Sequence, residues 1–312
     1  MTKPTAILLL SATLSFPPVV ALSAQDVTPS TRDVGPDVTP SDQEEQDTWD
    51  VEQSLGPTIA LSFETDEGTW MNVDLDPDGE TVVFDLLGDL YTMSIAGGAA
   101  TRISSGQSFD MQPRFSPDGS SVAFISDRDG AFNIWLMDPD GSNIRQISEE
   151  SNREVNSPSW SPDGQYIFVR KHFVDERSLG AGEVWMYHVT GGSGLQVTER
   201  NGWQKDQGEP AISPDGRYLY YSRNVWPGQT FEYDKNVYET IYAILRRDLS
   251  TGEERTIVRR PGGSITPRPS PDGTQLAFIR RVRENTVLFL HDLSTGEDWP
   301  IFDGLDRDMQ EA

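Results

Sequence analysis

The sequence predicts an all-β fold, a β-propeller in which five four-stranded blades are recognisable. Three observations predict it. The tripeptide Pro-Asp-Gly occurs five times, successive copies lie 40 to 57 residues apart, and the same succession of apolar strands and turns follows each copy. Four-stranded units repeated at this length without a helical period are typical of propeller blades. Five blades form the whole ring or belong to an incomplete ring of six or seven.

Each Pro-Asp-Gly copy is predicted to form the tight turn between the first and second strands of a blade. The five prolines are Pro77, Pro117, Pro162, Pro214 and Pro271. Proline sets φ at the second turn position, aspartate tolerates the third, and glycine adopts the left-handed conformation that follows. An aspartate or serine precedes each copy, and its short side chain can accept a backbone N–H across the turn.

Apolar strands are predicted after every turn. The second strands are Thr81 to Asp85, Ser121 to Ser126, Tyr166 to Lys171, Tyr218 to Arg223 and Gln275 to Arg281. The third strands are Leu90 to Ile95, Asn133 to Met137, Val184 to Val189, Ile241 to Leu245 and Val287 to Leu290. A further strand, Thr58 to Phe63, precedes the first copy and is predicted to be an outer strand of another blade.

The predicted propeller occupies residues 57–304, and different segments flank it. Residues 1–24 have a basic start, an apolar run and small residues at the end, which predicts a secretory signal peptide. Residues 25–56 hold nine acidic side chains against one arginine, which predicts a disordered acidic linker. Residues 305–312 are interpreted as the start of a further, truncated blade.

Composition excludes several classes of function. The chain has no cysteine, so disulfides and thiolate metal sites are excluded. Its net charge of −25 would repel a nucleic acid. No stretch after the predicted signal peptide is apolar enough to span a bilayer.

The repeat Pro-x-[Phe/Trp/Ile]-Ser-Pro-Asp-Gly, with its apolar strand and an Asn-Ile-Trp type of strand after it, resembles the TolB-like, WD-like propeller repeat across residues 57–304. Four segments also resemble the amino-terminal propeller of exported bacterial amidohydrolases, whose carboxyl-terminal half is a metal-dependent catalytic domain. The four segments are Asp85 to Tyr91, Met111 to Phe115, Ser178 to Glu183 and Leu305 to Glu311.

The resemblance implies a periplasmic or extracellular protein that acts as a non-catalytic interaction module for a protein or peptide partner. The alternative is an accessory propeller fragment of an amidohydrolase without its catalytic domain. We expect no cofactor and no catalytic residue in this chain. Its histidines, His172, His188 and His291, include no pair at the spacing of metal ligands, although a histidine-held metal at His172 stays an alternative.

One aspartate series has two interpretations. Asp74, Asp76 and Asp78, followed by a glycine, match the first half of a calcium-binding loop. The last of them is also the aspartate of the repeated turn, and the flanking segments are predicted to be strands instead of helices.

Candidate binding residues come from position in the repeat. The residue four places before each Ser/Asp-Pro-Asp-Gly sequence is polar in all five copies. The five residues are Asn72, Gln112, Ser157, Glu209 and Thr266. Because innermost strands line the channel of a propeller, these side chains are predicted to form a polar ring near one mouth, either for a ligand or only because water reaches them. Longer insertions supply rim candidates: His172, Arg177, Glu183, Trp203, Trp226, Phe231, Tyr233 and Tyr238. Their aromatic side chains either contact a partner or pack onto their own blade.

Overall fold

The computed structural model describes residues 50–53, 56–59, 61–175, 178–200, 202, 205–228, 235–236 and 238–304, and of 173–175 and 178–180 it describes the backbone. The predicted signal peptide, most of the predicted linker and residues 305–312 lie outside the described residues. No helix in the described part of the chain has both the length and the apolar character needed to cross a bilayer.

The described residues form twenty strands in five antiparallel sheets, which confirms the predicted propeller of four-stranded blades. Blade 1 holds β1 (Val73–Leu75), β2 (Thr81–Leu86), β3 (Asp89–Ser94) and β4 (Thr101–Arg102). Blade 2 holds β5 (Asp110–Phe115), β6 (Val122–Ser126), β7 (Asn133–Met137) and β8 (Arg145–Gln146). Blade 3 holds β9 (Arg153–Trp160), β10 (Tyr166–Asp175), β11 (Ser178–His188) and β12 (Leu195–Gln196).

The last two blades follow the same order. Blade 4 holds β13 (Gln207–Ile212), β14 (Tyr218–Asn224), β15 (Tyr242–Asp248) and β16 (Glu254–Val258). Blade 5 holds β17 (Ile265–Pro269), β18 (Gln275–Val282), β19 (Asn285–Asp292) and β20 (Asp298–Phe302). In every blade the strands pair in sequence order, so β1, β5, β9, β13 and β17 are the innermost strands, and each contacts the next one along the chain.

The Pro-Asp-Gly turns join the first two strands as predicted, and they also hold neighbouring blades together. Gly119 has φ of 72°, and a Cβ atom there would lie 3.3 Å from Cδ of Pro77 in the preceding blade. Gly273 repeats this contact with Pro214 at 3.7 Å. Glycine is therefore required for two reasons: the left-handed backbone conformation, and the close approach of the proline from the preceding blade.

The hydrophobic core lies between blades. Its four clusters each combine side chains of two consecutive blades: Val83 and Leu90 with Phe115 and Phe124; Ile125 and Ile134 with Val155 and Val169; Phe168 and Val184 with Leu219 and Tyr221; Tyr220 and Ile244 with Phe278 and Phe289. Because both faces of a middle blade are covered, its strands are apolar on both sides, as in β6, where all five residues are buried.

One strand prediction is wrong. The described residues between 57 and 63 form no strand, and Ile59 and Leu61 are 91% and 81% exposed. The alternation of apolar residues there is real, but a strand also needs a neighbour that accepts its backbone hydrogen bonds.

Candidate functional site

The polar positions predicted to form a channel ring share a strained backbone conformation in four blades. Gln112, Ser157, Glu209 and Thr266 have φ between 54° and 56°. Each precedes a proline in an innermost strand, and the pairing with the second strand shifts register at that point. Proline has no N–H to donate to the neighbouring strand, so within a sheet it is tolerated at a β-bulge. Asn72, the equivalent residue of blade 1, does not share this positive φ.

The same residues connect one blade to the next through hydrogen bonds. The backbone N–H of Gln112 donates to Asp85 of blade 1 at 2.8 Å, and that of Ser157 donates to Oε1 of Gln112 at 2.6 Å. The N–H of Thr266 donates to Oε2 of Glu209 at 2.8 Å. Asn72 contributes through Asp85, whose carboxylate accepts both its backbone N–H and its amide. Two half-buried side chains of the predicted ring, those of Gln112 and Glu209, thus accept hydrogen bonds from the protein's own backbone.

Two arginines lie on innermost strands, each two residues after a candidate of the predicted ring. Arg114 on β5 donates from Nη1 to the carbonyl oxygens of Pro113 and Val73, at 2.7 and 3.1 Å. Arg268 on β17 makes the equivalent contacts with Pro267 and Pro210, both at 3.3 Å. Each guanidinium therefore bridges its own strand and the innermost strand of the preceding blade.

The charges on these innermost strands affect one another's pKa values. Burial lowers the pKa of Arg268 to about 10, and the positive charge of Arg114 adds to that effect. Burial raises the pKa of Asp74 on β1, and Arg114 and Arg268 both oppose the rise. β1, β5 and β17 are the innermost strands of blades 1, 2 and 5, and innermost strands line the centre of a propeller; we call the space that they line the channel.

The calcium candidates do not converge. Asp74 accepts the N–H of Phe115 at 2.8 Å, whereas Asp76 accepts the N–H groups of Glu80 and Thr81 at the turn. Within the described ranges, no group of three or more histidine, aspartate or glutamate side chains is placed to hold a metal ion.

The rim candidates have separate environments. His172 and Glu183 are buried in blade 3, where Glu183 accepts the amide of Gln196 at 2.8 Å. Trp226 is half-buried and its carbonyl oxygen accepts Lys205 Nζ at 2.5 Å. Tyr238 is 55% exposed. Arg177, Trp203, Phe231 and Tyr233 lie outside the described residues.

Sequence reasoning missed an exposed apolar pair, Leu87 of blade 1 and Phe109, which directly precedes β5 of blade 2. Leu87 and Gly88 form the two-residue turn between β2 and β3, with φ of 56° and 88°. Leu87 is 76% exposed, and Gly88 lies against the ring of Phe109, which is 48% exposed. The usable signal was the dipeptide Leu-Gly in a position where Asn-Gly or Gly-Gly is the usual choice.

A groove of about 310 Å³ opens at the other end of the blades, between blades 2 and 3. Pro117, Pro162, Trp160 and Val189 line it together with Arg145, whose Nη1 donates to the carbonyl oxygen of Val189 at 2.6 Å. The indole of Trp160 donates to the carbonyl oxygen of Arg114 at 3.1 Å, so its polar edge is already bonded.

Comparison with known proteins places this architecture in a family. The family model described as the TolB β-propeller domain matches residues 65–233, more than half of the chain. The chain belongs to the TolB β-propeller family. Within this family setting, the chain is 28% identical over 182 residues to a TolB homolog of Chlorobium luteolum, a match that covers 57% of this chain and 36% of that protein.

Two other similarities extend the comparison. The chain is 29% identical over 171 residues to YuxL, an uncharacterized peptidase of Bacillus subtilis, covering 44% of this chain and 26% of that one. A structure solved as a TolB candidate of Agrobacterium tumefaciens superposes with a TM-score of 0.60 at 21% identity, covering 74% of this chain and 80% of that one. The chain thus matches about a third or less of the two curated relatives' length. These relatives give no support to the amidohydrolase resemblance.

Proposed function

We propose that this TolB-family propeller is an exported, non-catalytic module that docks a protein or peptide partner. The proposed docking face is the end of the blades that carries the connections between second and third strands. The observation that carries the proposal is Leu87, an exposed leucine held in a left-handed turn beside the exposed ring of Phe109.

Leucine is costly at that position. A left-handed conformation brings its Cβ close to the following carbonyl oxygen at a cost of about 1–2 kcal/mol, and its apolar side chain gains little from burial. Strained residues that persist without a packing benefit cluster at functional sites. The connection between β14 and β15 carries the exposed Tyr238 at the same end of the blades, which adds an aromatic side chain suited to a partner interface.

The test is crosslinking from defined positions. We would place a photo-crosslinking amino acid at Phe109 in the full chain and express it in the source organism. The matched control is Ile95, which is 60% exposed and follows β3 at the end of blade 1 opposite to the turn of Leu87 and Gly88. A discrete protein adduct from position 109 and none from position 95 is expected. Equal adducts from both positions, or none from either, would contradict the proposed face.

Export belongs to the same proposal and has its own measurement. The predicted signal peptide at residues 1–24 implies a mature protein in the periplasm or outside the cell. Amino-terminal sequencing of the exported protein should give a start near Gln25. An uncleaved protein in the cytoplasmic fraction would remove this part of the proposal.

A second candidate is an accessory propeller that works beside a hydrolytic domain, the role implied by the amidohydrolase resemblance. The match to YuxL favours this class of role, because it covers only 26% of a protein whose name is that of a peptidase. Crosslinking distinguishes the two, since the accessory role requires the adduct at position 109 to be a hydrolase.

A further inference from the structure

Arg114 and Arg268 each leave one edge of the guanidinium open in the channel. Every hydrogen bond that these two side chains make with described residues comes from Nη1 and goes to a backbone carbonyl oxygen. In the described part of the chain, their Nε and Nη2 atoms make no hydrogen bond and are not sealed from solvent. Nε and Nη2 form the edge of a guanidinium that binds both oxygens of a carboxylate.

The neighbouring carboxylates are already engaged with donors other than these arginines. Asp74 accepts the N–H of Phe115, Asp85 accepts the N–H of Gln112, and Glu209 accepts the N–H of Thr266. Among the described residues, neither Arg114 nor Arg268 has a carboxylate within ion-pair distance, whereas Arg128 and Arg280 are each paired with a buried aspartate. Burial and mutual repulsion both work against two unpaired guanidiniums, and a bound anion would relieve both.

We propose that Arg114 and Arg268 form an anchor in the channel for the carboxylate of an extended peptide. The inference rests on the proposed docking of a protein or peptide and names the chemical group that enters the channel. Each arginine keeps its Nη1 contacts with the backbone, which fix the plane of the guanidinium, and presents its open edge to the carboxylate. A guanidinium whose plane is already fixed loses less conformational entropy on binding than that of a freely rotating arginine side chain.

A carboxylate is favoured over other anions by the shape of the open edge. Two parallel N–H···O bonds match the two oxygens of a planar carboxylate. The protein as a whole carries a net charge of −25, so a highly charged polyanion would be repelled before it reached the channel. A peptide that is neutral apart from a single carboxylate would be repelled much less.

The anchor can be tested with a simple probe. An acetylated oligo-alanine peptide with a free carboxyl terminus would be titrated into the full chain, with the Nε–H signals of the arginines followed by nuclear magnetic resonance. The same peptide with an amidated terminus is the control ligand. The signals of Arg114 and Arg268 should shift with the acid and not with the amide. Equal shifts with both peptides, with neither, or with sodium sulfate would overturn the proposal.

Variants separate the anchor from general electrostatics. Arg268→Gln should weaken binding of the acid peptide about tenfold, the value of one charge-assisted hydrogen bond. Arg268→Lys keeps the charge and guards against failure to fold, yet should weaken binding similarly because it lacks the fork. Arg255→Gln makes the same change of charge on an exposed side chain paired with Glu253 and should leave binding unchanged.

Failure of the carboxylate anchor can be distinguished from failure of the proposed docking function. If the peptide does not shift the arginine signals while position 109 still forms its adduct, the anchor is wrong and the docking face stands. If neither experiment gives a signal, the docking function itself is wrong. An Arg255→Gln variant that weakens peptide binding as much as Arg268→Gln would also overturn the anchor.

Discussion

At the scale of single residues, the most informative side chains are those that hold an unfavourable backbone conformation. Leu87 occupies a turn position that asparagine or glycine adopts more easily, and its side chain is 76% exposed. Gln112 and Glu209 adopt the same left-handed region, but they are half-buried and bonded to the next blade. The strain at Leu87 is therefore not offset by packing or hydrogen bonding, whereas the strain at Gln112 and Glu209 is offset by their bonds to the next blade.

Leu87→Asn should make the protein more stable while weakening partner capture. Asparagine tolerates the left-handed conformation, so the free energy of unfolding should rise by about 1 kcal/mol. Urea denaturation measures that change, and the yield of the adduct from position 109 measures capture. Ile95→Asn, at an exposed position without positive φ, should change neither quantity appreciably. A less stable Leu87→Asn protein would show that the leucine serves the fold.

Glu209→Ala should destabilise the protein by about 1–3 kcal/mol. The substitution leaves the half-buried N–H of Thr266 with only Ser222 Oγ, at 3.1 Å, as an acceptor, and it removes the carboxylate to which the Ser222 hydroxyl donates. Glu209→Gln keeps an acceptor oxygen and should cost less. The matched control is Ser157→Ala, because among the described residues the Ser157 hydroxyl bonds only to its neighbour Asn156, at 3.2 Å. Equal urea midpoints for Glu209→Ala and Ser157→Ala would show that the inter-blade bond adds nothing.

At the scale of elements, the repeated turn explains both the fold and part of its response to acid. In blade 2 the hydroxyl of Ser116 accepts the N–H of Ser121 at 3.0 Å and donates to Asp118 at 2.6 Å. This contact is the main reason that the pKa of Asp118 is lowered to about 2. The equivalent serine contact lowers the pKa of Asp163, Asp215 and Asp272 in the following blades. In blade 1, Asp76 takes the place of the serine and caps the turn directly.

Stability should therefore fall as the pH drops from about 4 towards 2. A carboxyl group whose pKa is lower in the folded state stabilises the protein above its unfolded pKa, and that contribution is lost as the pH falls through the folded pKa. Ser116→Ala removes the main cause for Asp118, so its loss of stability between these pH values should be smaller than that of the unmodified protein. Urea midpoints across the pH series measure the difference. Ser62→Ala, at an exposed residue, should leave the slope unchanged, and an unchanged slope for Ser116→Ala would contradict the assignment.

The elements were largely predictable from the sequence, because turn chemistry and strand alternation are local properties. The predicted second strand Tyr218 to Arg223, for example, differs by one residue from the observed β14 (Tyr218–Asn224). The polar position before the repeat proline was also recognisable, but its bonding was not. Its partners lie in the next blade, 45 residues away for Gln112 and Ser157 and 57 for Glu209 and Thr266. The segment around Ile59 failed for the same reason, since alternation indicates a strand and only tertiary contacts supply its partner.

At the scale of the whole molecule, the contacts between blades determine how stability is distributed. Blades 2, 3 and 4 have a core cluster on each side, whereas blade 1 contributes to one cluster among the described residues. The first strand shows the difference. Val73 and Leu75 of β1 are 60% and 45% exposed, while Val155 of β9 in blade 3 is fully buried. A Cβ atom at Gly79 would meet nothing within 4 Å, whereas the glycines of the later turns approach the preceding proline.

Hydrogen exchange should therefore be faster in β1 than in the equivalent innermost strands β9 and β13. Local opening costs least where few apolar contacts are lost, so the amides of β1 should exchange through local opening and those of β9 only through much larger openings. Mass spectrometry of the full chain over a series of exchange times measures this, with β5 as an internal comparison that has a blade on both sides. If β1 is protected as strongly as β9, its exposed face must be covered in solution. Repeating the exchange at lower protein concentration then shows what covers β1. Protection by a second copy of the protein is lost on dilution, whereas protection by another part of the same chain is not.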